Sequence, residues 1–280
     1  MTSPKTLLVF HNIRPQKQLG QHFLTNHTTA EMIVNRSGIL PEDVVLEIGA
    51  GLGALTIPIA RIVKQVFAVE KDHKIIDILK TEIIASHLSN VVLMEKNVLK
   101  IDIQSLAESV GQKMVVIGNL PYNISSQILV QLIKSREAIT RAVFMLQKEL
   151  AHRITAQPGC KDYGRVTVML GYCSEIKKIA DVKASLFFPK PKVDSQILEF
   201  KFKKRLEYSV NDEAFFFSVI KAAFGTRRKI LKNALAASAL NIDANTAKNI
   251  LQKSGIDPLR RAETLTVEEF VTLSNHLNRA

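Results

Sequence analysis

The chain has no tryptophan, two cysteines and 6% aromatic residues in a length of 280. Each shortage removes a class of protein. Cys160 and Cys173 match no zinc-ligand spacing, and two isolated thiols fit a reducing compartment better than a disulfide framework. The seven histidines include no HExxH pair, and His22 and His27 read as capping or solvent-facing residues, so no metal site is expected. Scarce aromatics argue against a long groove for stacking single-stranded bases. No apolar run approaches the ~18 residues of a membrane span. The Leu7–Phe10 patch is too short for a secretory leader, while the first 30 residues, free of acid but poor in arginine, leave a mitochondrial leader as the minority reading. A cytoplasmic protein with no membrane contact is expected. Acid is in deficit too, with 26 Asp and Glu against 38 Lys and Arg and a net charge of +12. That surplus suits a polyanionic partner, whose phosphates Lys and Arg neutralise in a salt-dependent way.

What is present builds a core, since 46% of the residues are hydrophobic. Val44–Ile48 is a short apolar run closed by glycines, which reads as a buried strand. A helix is expected from Leu55 to Val63, with Pro58 tolerated in its first turn. Strands follow at Val66–Glu70, Val91–Met94, Met114–Ile117 and Ala142–Leu146, with helices at Asp72–Ile84 and Ser125–Ile133 between them. This repetition predicts an α/β fold with a parallel sheet and helices on both faces. Glu149–Ile154 reads as helix, and Ile176–Val182 and Gln196–Phe202 as two more strands, the last with one wet face. Beyond Lys203 the strand signals stop. Asn211, Asp243 and Thr266 read as caps of helices, the last with the capping-box spacing to Glu269, and Ile230–Ala237 as a further helix. The chain is therefore divided into an α/β domain over 1–204 and a small all-helical domain over 205–280.

Two segments carry chemistry. Glu47-Ile-Gly-Ala-Gly-Leu-Gly53 follows the first strand and opens a helix, so its backbone can approach a ligand closely. Glu70, at the end of the next strand, is placed to hold ribose hydroxyls. The loop alone fits S-adenosylmethionine or NAD; Glu47 directly before it, and the second segment, favour the former. In that segment, Gly118-Asn-Leu-Pro-Tyr122, the Asn119 side-chain carbonyl and the Leu120 backbone carbonyl can both accept N–H bonds from one planar amine. Pro121 stiffens the turn, and Tyr122 offers a face to a base. With both N–H groups held, the nitrogen lone pair faces an electrophile, which suits methyl transfer to a nucleobase amine.

These segments resemble a known family. Gln18–Leu24, Glu47–Thr56, Gly118–Ser126, Gln147–Ala151, Tyr163–Arg165 and Phe188–Ser195 are similar, in the same order, to motifs of the ribosomal RNA adenine N6-dimethyltransferases. The similarity runs from about Arg14 to Glu263. Within the family the small-subunit branch is the nearer, on Asn119–Ser126 and Tyr163–Arg165. The resemblance implies a Rossmann-like S-adenosylmethionine methyltransferase sheet and dimethylation of two adjacent adenosines in the 3′-terminal hairpin of 16S rRNA. The substrate would be the small ribosomal subunit or its precursor, with the enzyme acting as a monomer. It implies cofactor contacts from His22, Leu24, Gly49, Glu70, Asn97 and Asn119, and a target site of Asn119, Leu120, Tyr122 and Phe188, with the base stacked between the two rings. Two positions depart from the family pattern. His22 often corresponds to asparagine, and Asn97 stands where aspartate is usual, so its carbonyl accepts without charge assistance. A second reading is an RNA-binding assembly factor, using the basic Arg227-Arg228-Lys229, for which methylation is secondary.

Overall fold

The computed structural model describes residues 2–226 and 228–278; of the basic cluster, Arg227 lies outside them. The chain clusters into two compact units, one of residues up to Ala151 with Ile176–Phe202, the other of His152–Glu175 with Lys203 onward.

The first unit begins with a short helix, α1 (Pro4–Phe10), a two-residue strand, β1 (Phe23–Leu24), and α2 (His27–Arg36). Then come β2 (Val44–Ile48), α3 (Thr56–Ala60), β3 (Gln65–Glu70), α4 (His73–Ala85), β4 (Val91–Glu95), α5 (Ile103–Val110), β5 (Met114–Asn119), α6 (Ser125–Lys134), β6 (Ile139–Gln147) and α7 (Lys148–Ile154), whose last three residues cluster with the second unit. The next helix, α8 (Arg165–Cys173), clusters with the second unit, and the chain then returns through β7 (Ser174–Val182), β8 (Phe187–Phe188) and β9 (Ser195–Phe202). Seven strands form one sheet in the order β4-β3-β2-β5-β6-β9-β7, and β1 pairs with β8 in a separate ribbon. The five strands from β4 to β6 in that order run parallel, while β9 lies antiparallel to β6. All five residues of β2 are buried, as the continuous apolar run requires of a strand covered on both faces. Each such Val, Leu or Ile contributes ~1.5–3 kcal/mol when removed from water. In β9 the expected wet face is short: Ser195–Leu198 are all buried and only Lys201 is exposed.

Strand order reverses at β2. Its neighbour β3 follows it in sequence, while β5 on the other side arrives after a crossover. The carboxyl ends of β2 and β5 therefore open a crevice at a topological switch point. Close approach shapes that crevice. A Cβ on Gly118 of β5 would sit 2.4 Å from the Ile48 carbonyl oxygen, and one on Gly49 would sit 3.3 Å from that of Asn119. Gly49 also has φ +74°, where a side chain is strained.

In the second unit α9 (Glu213–Ala223), α10 (Leu231–Ala236), α11 (Ala244–Lys253) and α12 (Val267–Leu277) pack as helices. The N-cap of α9 is Asp212, not the expected Asn211. The Asp212 carboxylate accepts from the Phe215 amide at 3.0 Å, while the Asn211 amide donates to Asn275 Oδ1. The capping box of α12 forms between Thr266 and Glu269 as its spacing predicts. Glu269 also pairs with both terminal nitrogens of Arg260. Tyr172 and Phe216 meet with ring centroids 4.7 Å apart in the core.

Candidate active site

The β2–α3 loop is held open by its neighbours in the sheet. Gly49 and Ala50 amides donate to the Val69 carbonyl, and the Gly51 amide donates to Glu70 Oε2 at 3.0 Å. The other Glu70 oxygen accepts from the Lys71 and Asp72 amides at 2.7 and 2.9 Å. One carboxylate thus fastens the glycine loop to the start of α4. Burial pushes the Glu70 carboxyl above its usual value in spite of these three donors.

Against this corner lies a cavity of ≈ 160 Å³ walled by His22, Gly49, Glu70, Asn97 and Asn119, five of the residues singled out from sequence. Asn97 has a second task. Its side-chain oxygen accepts from the Leu99 amide at 3.1 Å and caps a single 3₁₀ turn. Leu24 is outside this wall; it is buried in the core and borders a smaller cavity with Glu47 and Asn119. Leu120, Tyr122 and Phe188 are also outside it.

Asn119 ends β5. Its Nδ2 donates to the His22 carbonyl at 3.0 Å, and its Oδ1 is buried without a partner. A carbonyl can only accept, so this bond fixes which end of the amide is which. The bare oxygen is the acceptor. Leu120 is buried and donates its amide to the Met145 carbonyl. The Tyr122 ring stacks on that of His22, with centroids 5.3 Å apart and planes at 27°. Its hydroxyl lies 3.3 Å from Ser195 Oγ, and burial pushes its pKa above the usual value. His22 Nδ1 sits 2.6 Å from the Pro189 carbonyl, so that nitrogen carries the proton. Phe188 precedes Pro189 and pairs with Phe23 across the β1–β8 ribbon. It packs against a cluster of Leu7, Leu8, Leu52 and Ile75. The ring on Tyr122 in this structure is therefore His22. Phe187, beside Phe188, belongs to the core.

The model of one family, described as "Ribosomal RNA adenine dimethylase", matches residues 12–278. The chain belongs to the ribosomal RNA adenine dimethylase family. A "Ribosomal RNA small subunit methyltransferase A" of Desulforapulum autotrophicum is 50% identical over 99% of this chain and 97% of its own length. One of the same description from Magnetococcus marinus is 40% identical over 97% of this chain and 95% of its own. Among solved structures, a dimethyladenosine transferase from Plasmodium falciparum superposes with TM-score 0.73 at 26% identity, covering 90% of this chain and 95% of its own. The 23S rRNA methyltransferase ErmE shares the fold, with TM-score 0.65 at 22% identity over 91% of this chain and 99% of its own.

For this dimethylase, sequence reasoning missed the polar side chains that hold the arm before β1. Gln16 Nε2 and Gln21 Nε2 both donate to Asp72 Oδ2, at 2.9 and 2.8 Å. Asn123 Nδ2 donates to the Gln18 carbonyl at 3.0 Å. Asp72 was legible only as the start of α4, which its other oxygen does cap through the Lys74 amide. Glu47 was legible, as the residue before the glycines, but its setting was not. It is 1% exposed, its Oε2 has no partner, and burial pushes its carboxyl up to about 8.

Proposed function

We propose that this chain uses S-adenosylmethionine to dimethylate N6 of two adjacent adenosines in the 3′-terminal hairpin of 16S rRNA, in the small subunit or its precursor. The observation that carries this reading is the buried, unpartnered Asn119 Oδ1, oriented as an acceptor at the end of β5. A buried acceptor left bare costs ~1–3 kcal/mol, and an exocyclic amine satisfies it. The cavity fits the cofactor at two points, the close approach at Gly49 and the Glu70 carboxylate. His22, Leu24, Gly49, Glu70, Asn97 and Asn119 would hold it there. When bound, S-adenosylmethionine supplies an electrophilic methyl group. The Asn119 and Leu120 carbonyls would hold both hydrogens of the amine, direct its lone pair and stabilise the positive charge growing on nitrogen. Tyr122 and Phe188 would flank the base. Membership in a methylase family supports S-adenosylmethionine over the nicotinamide reading of the glycine loop. The division at 204/205, a monomeric state and a cytoplasmic setting belong to the same proposal. No helix among the described residues is long and apolar enough to cross a membrane.

The test is Asn119→Ala. Methylation of immature small subunits, read by mass spectrometry of their rRNA, is expected to fall by about 10²-fold or more. Calorimetric affinity for S-adenosylmethionine should fall by much less than turnover, since five of the six residues that would hold it remain. Near-normal methylation by this variant overturns the role.

A further inference from the structure

The arm before β1 closes one side of the cavity, and packing holds it only lightly, through Ile13 against the cluster of Leu7 and Leu8 and the His22 ring on Tyr122. Gln18, Leu19, Gly20, Gln21 and His22 all line the wall, and no residue from His11 to His22 is buried. The rest of its hold comes from hydrogen bonds, from His22 Nδ1 to the Pro189 carbonyl and from side chains at its two edges. On one edge Gln16 and Gln21 converge on a single oxygen of Asp72, and the Gln16 amide closes the set by donating to Gln21 Oε1 at 2.8 Å. On the other, Asn123 and Asn119 donate to the carbonyls of Gln18 and His22. Asp72 itself is buried and fixed from behind, because its amide donates to Glu70 and its Oδ1 caps α4.

We infer that Gln21 and Asp72 are positioning residues for the cofactor: their bond latches the arm across the cavity mouth and sets how fast the bound molecule leaves. Neither side chain needs to touch it. A hydrogen bond to a charged acceptor is among the stronger ones in proteins, and two of them meet on Asp72 Oδ2. From Arg14 to His22 the arm buries no apolar side chain that would keep it in place once they are broken. This inference rests on the cavity being the S-adenosylmethionine site.

The test replaces polarity without removing bulk. Gln21→Glu sets carboxylate against carboxylate and keeps an oxygen for the Gln16 amide. Asp72→Asn combined with Gln21→Glu restores a donor facing an acceptor at position 21 with the direction reversed, at the loss of the Gln16 Nε2 bond, while the carboxamide oxygen introduced by Asp72→Asn still caps α4. Stopped-flow displacement of S-adenosylmethionine gives the dissociation rate, and thermal melting checks the fold. Gln21→Glu is expected to speed dissociation about tenfold or more at an unchanged melting temperature, which corresponds to roughly one such bond. The reversed pair should return part of the way to the wild-type rate, the Gln16 bond being lost in it. Wild-type dissociation from Gln21→Glu, or a reversed pair as fast as the single variant, overturns the latch. Wild-type protein that fails to bind S-adenosylmethionine overturns instead the reading on which the latch rests.

Discussion

Glu47 and Asn119 both end buried with an unpartnered oxygen, but they differ in what they can do about it. An amide has no charge to lose, whereas a carboxyl can keep its proton. With a usual value of 4.5 and a folded value of about 8, Glu47 binds a proton in the folded chain over the interval where the unfolded chain has released it. Stability from this residue is thus complete below about pH 4.5 and is lost as pH rises toward 8. Glu47→Gln keeps the shape and stays neutral. Denaturant unfolding at pH 5 and pH 8.5 is expected to show wild type losing more stability than the variant, by an amount on the order of a few kcal/mol. Parallel behaviour of the two would show that Glu47 is not held protonated. Asn119 was legible in Asn-Leu-Pro-Tyr as a candidate acceptor, but the bare Oε2 of Glu47 was not. Val-Val-Leu-Glu-Ile predicts a covered strand, but not that a carboxylate oxygen in it would lack a donor.

Strands and helices were legible where apolar residues kept a period or ran unbroken between breakers. β2 to β6 all appear within a few residues of the expected bounds. α8 escaped notice for a physical reason. Thr167–Leu170, Tyr172 and Cys173 are all buried, so it has no polar face to mark a 3.6-residue period, and its β-branched residues imitate a strand. The two-residue strands β1 and β8 carry no pattern at all; only their pairing makes them strands. The contact between β2 and β5 gives a test of its own. Gly118→Ala would drive a methyl group onto the Ile48 carbonyl, a backbone atom 2.4 Å away that cannot yield as a side-chain tip does. A loss of ~1–3 kcal/mol in unfolding free energy is expected, and unchanged stability would mean that the two strands part more easily than their register implies.

For the intact chain the relevant quantity is charge. A surplus of +12 is of no use to a small, net cationic cofactor but steers a polyanion. RNA affinity is therefore expected to drop about tenfold or more between ~50 and ~200 mM salt through counterion release. S-adenosylmethionine affinity, measured in the same buffers, should change less than about twofold; equal salt dependence would argue that the surplus charge does not meet RNA. The end of the strands at Phe202 matches the start of the helical stretch, but residues 152–175 cluster with that later stretch. They could not be assigned from sequence, because a return of the chain to β7 leaves no mark in composition.

The bond from Asn119 to the His22 carbonyl spans 97 positions of sequence. On the proposed reading it decides which purine the pocket accepts. An adenine presents a 6-amino group and a guanine a 6-oxo group, and a freely turning carboxamide would greet either one with equal ease. Tethered by its nitrogen, the amide shows only oxygen. Discrimination between the two bases then resides in a peptide oxygen of the arm, which no survey of side chains would single out.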